Sequence, residues 1–210
     1  MTEKTMFTME ACVPGECAMP PHGRVFVVRP ESLSGKYKAP EYQLHYCRAT
    51  ASLNNLGSFH AISLADGERV RWNRSDVLGI LKPELLPDDA RLHLSQIRPD
   101  GALDPRQHTP KYSGYSFLPD GRYAAGVWLC SEQEVMDYIE MQKPYQHRIM
   151  ICDRNDFCVL ELREGQLLYP GEEAMEAFRQ EAQASLRTTR AIRVLPLRTT
   201  VAFCFNRAAS

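Results

Sequence analysis

The sequence predicts an α+β protein with two parts, a small mixed α+β domain over residues 1–104 and a ferredoxin-like domain over 111–210. Three observations lead to this prediction. Runs of strand length, rich in β-branched and aromatic residues, alternate with segments of helical apolar spacing. The stretch 99–112 contains three prolines and little apolar material. In the second half the elements follow the order β-α-β-β-α-β, the split βαβ pattern of ferredoxin-like sandwiches.

The first half begins with four strand signals. Residues 24–29 form an apolar run that prolines bracket on both sides, and residues 42–47 alternate between polar and apolar side chains. Residues 59–64 and 69–72 flank an Asp66-Gly67 pair, and such a pair supplies the positive φ of a tight hairpin turn. We therefore expect two strands followed by a hairpin.

Helical signals follow the hairpin. Ser75 is a suitable N-cap for a short helix over residues 76–81, and a second helix is predicted over residues 88–97. The proline-containing stretch 99–112 is the best candidate for an interdomain linker, since proline and polar residues interrupt regular structure. A long surface loop within one domain is the alternative interpretation of that stretch.

The second half has more regular signals. A strand is predicted near residues 125–130, followed by a capping box in which Ser131 precedes Glu134 by three residues. That helix ends before Pro144. The remaining predicted elements are a hairpin of two strands (148–152 and 157–162), a short strand (166–169), a helix (172 to about 186) and two final strands (192–197 and 199–205).

Composition excludes several classes of protein. The 210 residues include 25 basic and 26 acidic side chains, so no overall field attracts the chain to nucleic acid or to anionic lipid. No apolar run reaches the length of a membrane span, and the first residues have no apolar signal-peptide region. The seven cysteines are scattered and odd in number. We therefore expect a cytoplasmic protein with reduced thiols and no membrane association.

One cluster of possible metal ligands lies near the N-terminus, at Cys12, Cys17 and His22. Thiolate and imidazole are ligands that zinc prefers. A structural zinc site needs four ligands, so His45 and Cys47 would have to complete it across the fold. Free thiols without any cofactor are the alternative interpretation.

Arginine outnumbers lysine and is concentrated in two segments. Arg69, Arg71 and Arg74 surround Trp72, with the two arginines of the strand on one face and the tryptophan on the other. The C-terminal residues 182–210 carry no acid and include four arginines that could contact an anion, namely Arg187, Arg190, Arg193 and Arg198. Guanidinium groups bind phosphate and stack on bases, so these residues are candidate nucleic-acid contacts. A GC-rich genome also raises arginine over lysine without a physical purpose.

No linear signature of catalysis is present in the sequence. The chain contains no Gly-x-Ser-x-Gly, no phosphate-binding glycine loop and no His-Glu-x-x-His. Cys152 and Cys158 flank the turn of the predicted hairpin, where two packed thiols explain them without further chemistry. An enzyme whose site is assembled across the fold would leave no such trace, so enzymatic activity stays open.

Three segments carry a family resemblance: residues 22–33, residues 43–47 and residues 72–79. In these segments the chain resembles a family of uncharacterised proteins encoded by gut Clostridia-type bacteria, often on mobile genetic elements. The resemblance covers residues 20–90 and extends to 132–162. It implies a bacterial cytosolic accessory protein that modulates host or defence enzymes, and it transfers no functional residue.

The sequence thus favours a non-catalytic binding or regulatory protein that acts by protein–protein contact. The alternatives are a nucleic-acid-binding protein that uses the arginine-rich surfaces, and an enzyme of unknown class. The expected partner is a protein. Nucleic acid and a second copy of the chain are further possible partners.

Overall fold

The computed structural model describes residues 7–8, 20, 22–39, 45–50 and 58–193, with side chains for all of these except 7–8 and 185–193. Within these residues the chain forms two antiparallel sheets and three α-helices, which confirms the predicted α+β class. The strands of the first sheet are β1 (Phe7–Thr8), β2 (Val25–Val28), β3 (His45–Ala49), β4 (Ser58–Ser63), β5 (Arg69–Asn73) and β6 (Val77–Leu81). The strands of the second sheet are β7 (Tyr112–Phe117), β8 (Val127–Leu129), β9 (Arg148–Asp153), β10 (Cys158–Arg163) and β11 (Gln166–Tyr169). The helices are α1 (Asp88–Ser95), α2 (Glu132–Gln142) and α3 (Glu172–Arg193).

The first sheet has the strand order β1-β6-β2-β3-β4-β5, in which four strands form a meander and β6 returns beside β2. Strand β2 is buried on both faces. Val25 and Val27 contribute to the core that the helices cover, whereas Phe26 and Val28 contribute to a second core that includes Trp72. This explains why the run over β2 is continuously apolar rather than alternating.

Most predictions for the first half are confirmed, and one is wrong. The strand at β2 and the hairpin of β4 and β5 are confirmed, and Gly67 has the positive φ of 72° that its turn requires. The segment 76–81 is not a helix but strand β6. Its β-branched Val77 and Ile80 pair with β2, where they are buried. The single 3-10 turn before it is capped by Asn73 rather than by Ser75.

The second sheet has the order β11-β10-β9-β7-β8, and every neighbouring pair is antiparallel. The hairpin of β9 and β10 is confirmed, as is the short strand β11. The Ser131 side chain accepts a hydrogen bond from the Glu134 backbone N–H at 3.2 Å, which is one half of the predicted capping box. The Glu134 carboxylate accepts from the Cys130 backbone N–H instead of that of Ser131. Helices α2 and α3 pack on one face of this sheet, where their apolar side chains meet those of β9 and β10.

The ferredoxin-like order is not confirmed. Strand β8, the expected first strand, lies at the edge of the sheet and pairs with β7, a strand that the sequence pattern did not predict. Gly114 interrupts the apolar pattern of β7, because the Tyr138 ring occupies the place of a side chain there: a Cβ on Gly114 would lie 2.8 Å from Tyr138 Cε1. Helix α3 continues to Arg193, so the expected strand 192–197 begins with helical residues. The expected strand 199–205 lies outside the described residues.

A single apolar core extends across the two halves of the chain, from Val25 of β2 to Leu160 of β10. The Val25 backbone N–H donates to the Tyr145 hydroxyl at 3.2 Å, which links the first sheet to the segment between α2 and β9. The candidate linker 99–112 packs against the start of α2, where the Leu103 N–H donates to Glu134 at 2.9 Å. The boundary between two domains stays a prediction. No helix among the described residues has the length and apolarity needed to cross a bilayer.

Candidate functional site

The arginines on and just after β5 do not share an exposed surface with Trp72 in the structure. Arg69, Arg71 and Arg74 are exposed, and the Arg71 guanidinium donates to the Ser58 hydroxyl at 2.7 Å and 3.0 Å. Trp72 is only 8% exposed and belongs to the second core. The Trp72 ring therefore packs inside the protein, away from the surface on which a nucleic acid would bind.

The remaining predicted arginines lie at the end of the chain. Arg187, Arg190 and Arg193 have helical backbone in α3, and nothing is described of their side chains. Arg198 lies outside the described residues. Their role in binding an anion therefore stays a prediction.

The candidate zinc ligands are described only in part. Cys12 and Cys17 lie outside the described residues, and the His22 imidazole lies 3.3 Å from an Asp100 carboxylate oxygen. His45 and Cys47 face the second core, where the His45 ring centroid is 4.4 Å from that of Tyr37. Among the described residues, no three His, Cys, Asp or Glu side chains converge as a metal site.

A polar cleft of about 440 Å³ opens where the first sheet meets α2. Its ionisable lining residues include His22, Arg24, Arg48, Asp100, Asp137 and Glu140. Arg48 is almost fully buried and directs both terminal nitrogens at the Asp100 carboxylate, each at 3.4 Å. The Asp100 carboxylate thus contacts both the His22 imidazole and the Arg48 guanidinium. Sequence reasoning missed this arrangement, since its members come from separate parts of the chain.

The second sheet has one face that the helices leave uncovered. We call this the open face and define it by the side chains that alternate with the helix-covered ones on β7, β9 and β10, together with Tyr123 and Trp128. Its members are Ser113, Tyr115, Phe117, Tyr123, Trp128, Arg148, Met150, Cys152, Cys158, Glu161 and Arg163. Tyr123 and Trp128 are each 57% exposed.

Several aromatic rings of the open face pack against one another. Tyr123 contacts two rings, with centroids 5.2 Å from Phe117 and 6.2 Å from Tyr115. The Tyr115 ring lies close over the Gly126 backbone, since a Cβ on Gly126 would lie 2.5 Å from Tyr115 Cε1. A hollow of about 310 Å³ opens between these rings and the two cysteines of the hairpin. The open face is therefore a pre-organised aromatic surface rather than a set of isolated rings.

The charges of the open face are paired among themselves. Arg148 Nε donates to Glu161 at 2.7 Å, and the Arg148 guanidinium lies 5.1 Å from the centre of the Phe117 ring. Arg163 lies 4.0 Å from the same Glu161 carboxylate. The Glu161 carboxylate thus pairs with both guanidinium groups. This pairing lowers the attraction of the open face for a polyanion.

The open face was missed because β7 was not predicted. One signal for it was present in the sequence: Trp128 lies between Val127 and Leu129, so strand alternation points the tryptophan away from the side that the two aliphatic residues occupy.

Comparison with known proteins adds no family. No family model, curated protein or solved structure matches the chain. The resemblance over residues 20–90 stays a prediction.

Proposed function

We propose that the protein is a non-catalytic binding or regulatory protein that acts by protein–protein contact, and that the open face is its docking surface. The observation that carries this proposal is the exposure of Tyr123 and Trp128 beside Tyr115, Phe117 and Met150 on a sheet face that no described helix covers. Tyr, Trp, Phe and Met are the residue types enriched in protein interfaces.

The size of the open face agrees with a docking surface. The five strands of the sheet have three to six residues each. With strands about 4.8 Å apart and a rise of about 3.3 Å per residue, one face of the sheet spans on the order of 400 Å². Contiguous apolar patches of several hundred Å² mark interaction sites on soluble proteins. This area corresponds to a small and reversible interface rather than to an obligate one.

The charges of the face support a protein partner over a nucleic acid. Binding to a polyanion gains most of its free energy from Lys and Arg that neutralise phosphates. On the open face Arg148 and Arg163 already contact Glu161. A partner that covers the rings with apolar side chains leaves this ion-pair cluster intact.

The proposal is tested by partner capture with a matched control. We expect the chain to recover a specific protein from a bacterial lysate, and the double variant W128S/Y123S to lose it. Each aromatic anchor is worth about 2 kcal/mol of binding, or roughly 30-fold in Kd. The control is Leu103→Ser, which alters an exposed apolar residue away from the open face and should retain the partner.

A direct readout is available with purified partner. The chain has two tryptophans, and Trp72→Phe leaves Trp128 as the single reporter. Binding at the open face should then shield Trp128 from acrylamide quenching. Unchanged quenching, or equal recovery of the partner by W128S/Y123S, would contradict the proposal. Salt-dependent binding of single-stranded RNA or DNA that charge reversal at Arg190 and Arg193 abolishes would favour the nucleic-acid alternative instead.

The polar cleft supports a second candidate, an enzyme or small-ligand protein. A histidine oriented by a carboxylate, with an arginine that fixes the carboxylate, is an arrangement suited to general base catalysis. The observation that favours it is the chain of contacts from His22 through Asp100 to Arg48. Loss of a turnover activity in His22→Ala, with partner binding retained, would establish this function separately.

The setting of the protein is part of the proposal. On the resemblance over residues 20–90, we place it in the bacterial cytoplasm as an accessory protein of a mobile genetic element. There it would modulate a host or defence enzyme by contact.

A further inference from the structure

Two thiols lie directly opposite each other on the open face. Cys152 of β9 and Cys158 of β10 are partners in the strand register, and both are free cysteines. Directly opposed residues of antiparallel strands have Cβ atoms about 4.5–5.5 Å apart. Both cysteines line the hollow of about 310 Å³ described above. The register and the shared hollow therefore place the two thiols side by side, and the Cys158 Sγ also donates to the Leu160 carbonyl oxygen at 3.5 Å.

A third sulfur lies beside this pair. Met150 precedes Cys152 by two residues on the same strand, so both side chains are on the open face, and Met150 lines the same hollow. Its Sδ lies 3.8 Å from an Arg148 terminal nitrogen. Two thiols and one thioether thus share one hollow, which Asp156 also lines, and the Arg148 guanidinium lies beside the thioether.

The burial of the two thiols argues against a role for them in covalent catalysis. Burial raises the pKa of Cys152 to about 11, and burial is also the main reason that the pKa of Cys158 is raised. Both groups are therefore protonated near neutral pH, and a protonated thiol is a weak nucleophile. Covalent catalysis by this pair is disfavoured, whereas a strongly thiophilic metal ion can still displace the protons.

We propose that Cys152, Cys158 and Met150 form a binding site for a soft monovalent metal ion of the Cu(I) class. Thiolate and thioether are the ligands that select Cu(I) among biological metals. Zinc requires four ligands in a structural site, and the described residues around the pair do not supply them. The site lies within the open face, but it follows from the sulfur ligands and does not rest on the docking function proposed above.

The binding step is balanced without any oxidant or reductant. One Cu(I) ion replaces the protons of two thiols: two S–H bonds break, two S–Cu bonds form, and two protons pass to solvent. The product carries one negative charge. The thioether of Met150 adds a third, neutral ligand.

The test is an anaerobic titration of the full-length chain with Cu(I) buffered by a chromophoric chelator. Cys12, Cys17 and Cys204 are first replaced by serine, so that these thiols do not compete. We expect one equivalent of Cu(I) to bind with release of two protons. Binding should weaken as pH falls, because the thiols must lose their protons.

Single substitutions identify the ligands in this background. Cys152→Ser or Cys158→Ser should each weaken Cu(I) binding by more than about 100-fold, since loss even of outer-shell partners costs about 10- to 100-fold. Met150→Leu should retain both the stoichiometry and the proton release, with a smaller loss of affinity. Circular dichroism of each variant confirms that it is folded.

Cys130→Ser is the matched control, because Cys130 is a buried free thiol outside the hollow, and it should leave Cu(I) binding unchanged. The proposal is overturned if folded C152S/C158S binds Cu(I) as tightly as its parent. It is also overturned if Zn²⁺ binds at one equivalent with the same affinity as Cu(I), since the site would then not be selective for a soft ion.

Discussion

Acidification should destabilise the protein through one buried histidine. His45 on β3 is 1% exposed, with its ring 4.4 Å from that of Tyr37 and 6.2 Å from that of Trp72. Burial lowers the pKa of His45 from 6.5 to about 4, Asp66 raises it in opposition, and Lys36 lowers it further. Because the folded pKa lies below the unfolded one, the unfolded chain binds more protons between pH 4 and pH 6.5. Stability is therefore lost as pH falls through that window.

The magnitude follows from the pKa difference between the two states. The full loss below pH 4 is about 3 kcal/mol, and at pH 5 about 2 kcal/mol of it has already been lost. The assay is urea unfolding at pH 7 and pH 5 for the parent chain and for His45→Gln, in which the titrating group is removed. The free energy of unfolding should change with pH by about 2 kcal/mol less in His45→Gln.

A matched control separates this effect from general protonation. His93 on α1 is an exposed histidine, so His93→Gln should keep the pH dependence of the parent chain. The reasoning is refuted if His45→Gln shows the same difference between pH 7 and pH 5 as the parent. It is equally refuted if His93→Gln removes that difference.

Two further predictions concern packing and a buried ion pair. Gly114→Ala should lower the thermal midpoint by an amount equivalent to about 1–3 kcal/mol, because the new Cβ meets the Tyr138 ring at 2.8 Å. Gly171→Ala, with nothing within 4 Å of its Cβ, should not show this loss. Glu134→Gln should cost about 2 kcal/mol in urea unfolding, since the buried carboxylate accepts from Arg98 and from two backbone N–H groups. An unchanged urea midpoint would show that this pair contributes nothing to stability.

Local elements of the fold were predictable, because each depends on residues close together in the chain. The β9–β10 hairpin follows from two apolar runs around a polar turn. The cap of α2 follows from Ser131 and Glu134. The prediction of a helix over 76–81 was wrong. It relied on Ser75 as an N-cap rather than on the β-branched residues that follow, which favour a strand. The pairing of β6 with β2 joins residues far apart in the chain, so no local pattern shows it.

The candidate sites were harder to predict from the sequence than the local elements of the fold. Trp72 lies between polar residues and is buried, because its ring packs in the second core, which no local pattern indicates. The contact of His22 with Asp100 joins residues far apart in sequence. The facing positions of Cys152 and Cys158 were predictable, since one short turn joins their strands.

The sequence by itself determined the α+β class, the two hairpins and the capped helix, because turn chemistry, capping and periodicity act over a few residues. Only the tertiary structure decided the strand order, which departs from the expected ferredoxin-like arrangement within the described residues. It also decided which face of the second sheet stays uncovered. That outcome depends on where α2 and α3 pack, and burial of distant apolar side chains in one common core is a property of the whole chain rather than of any segment.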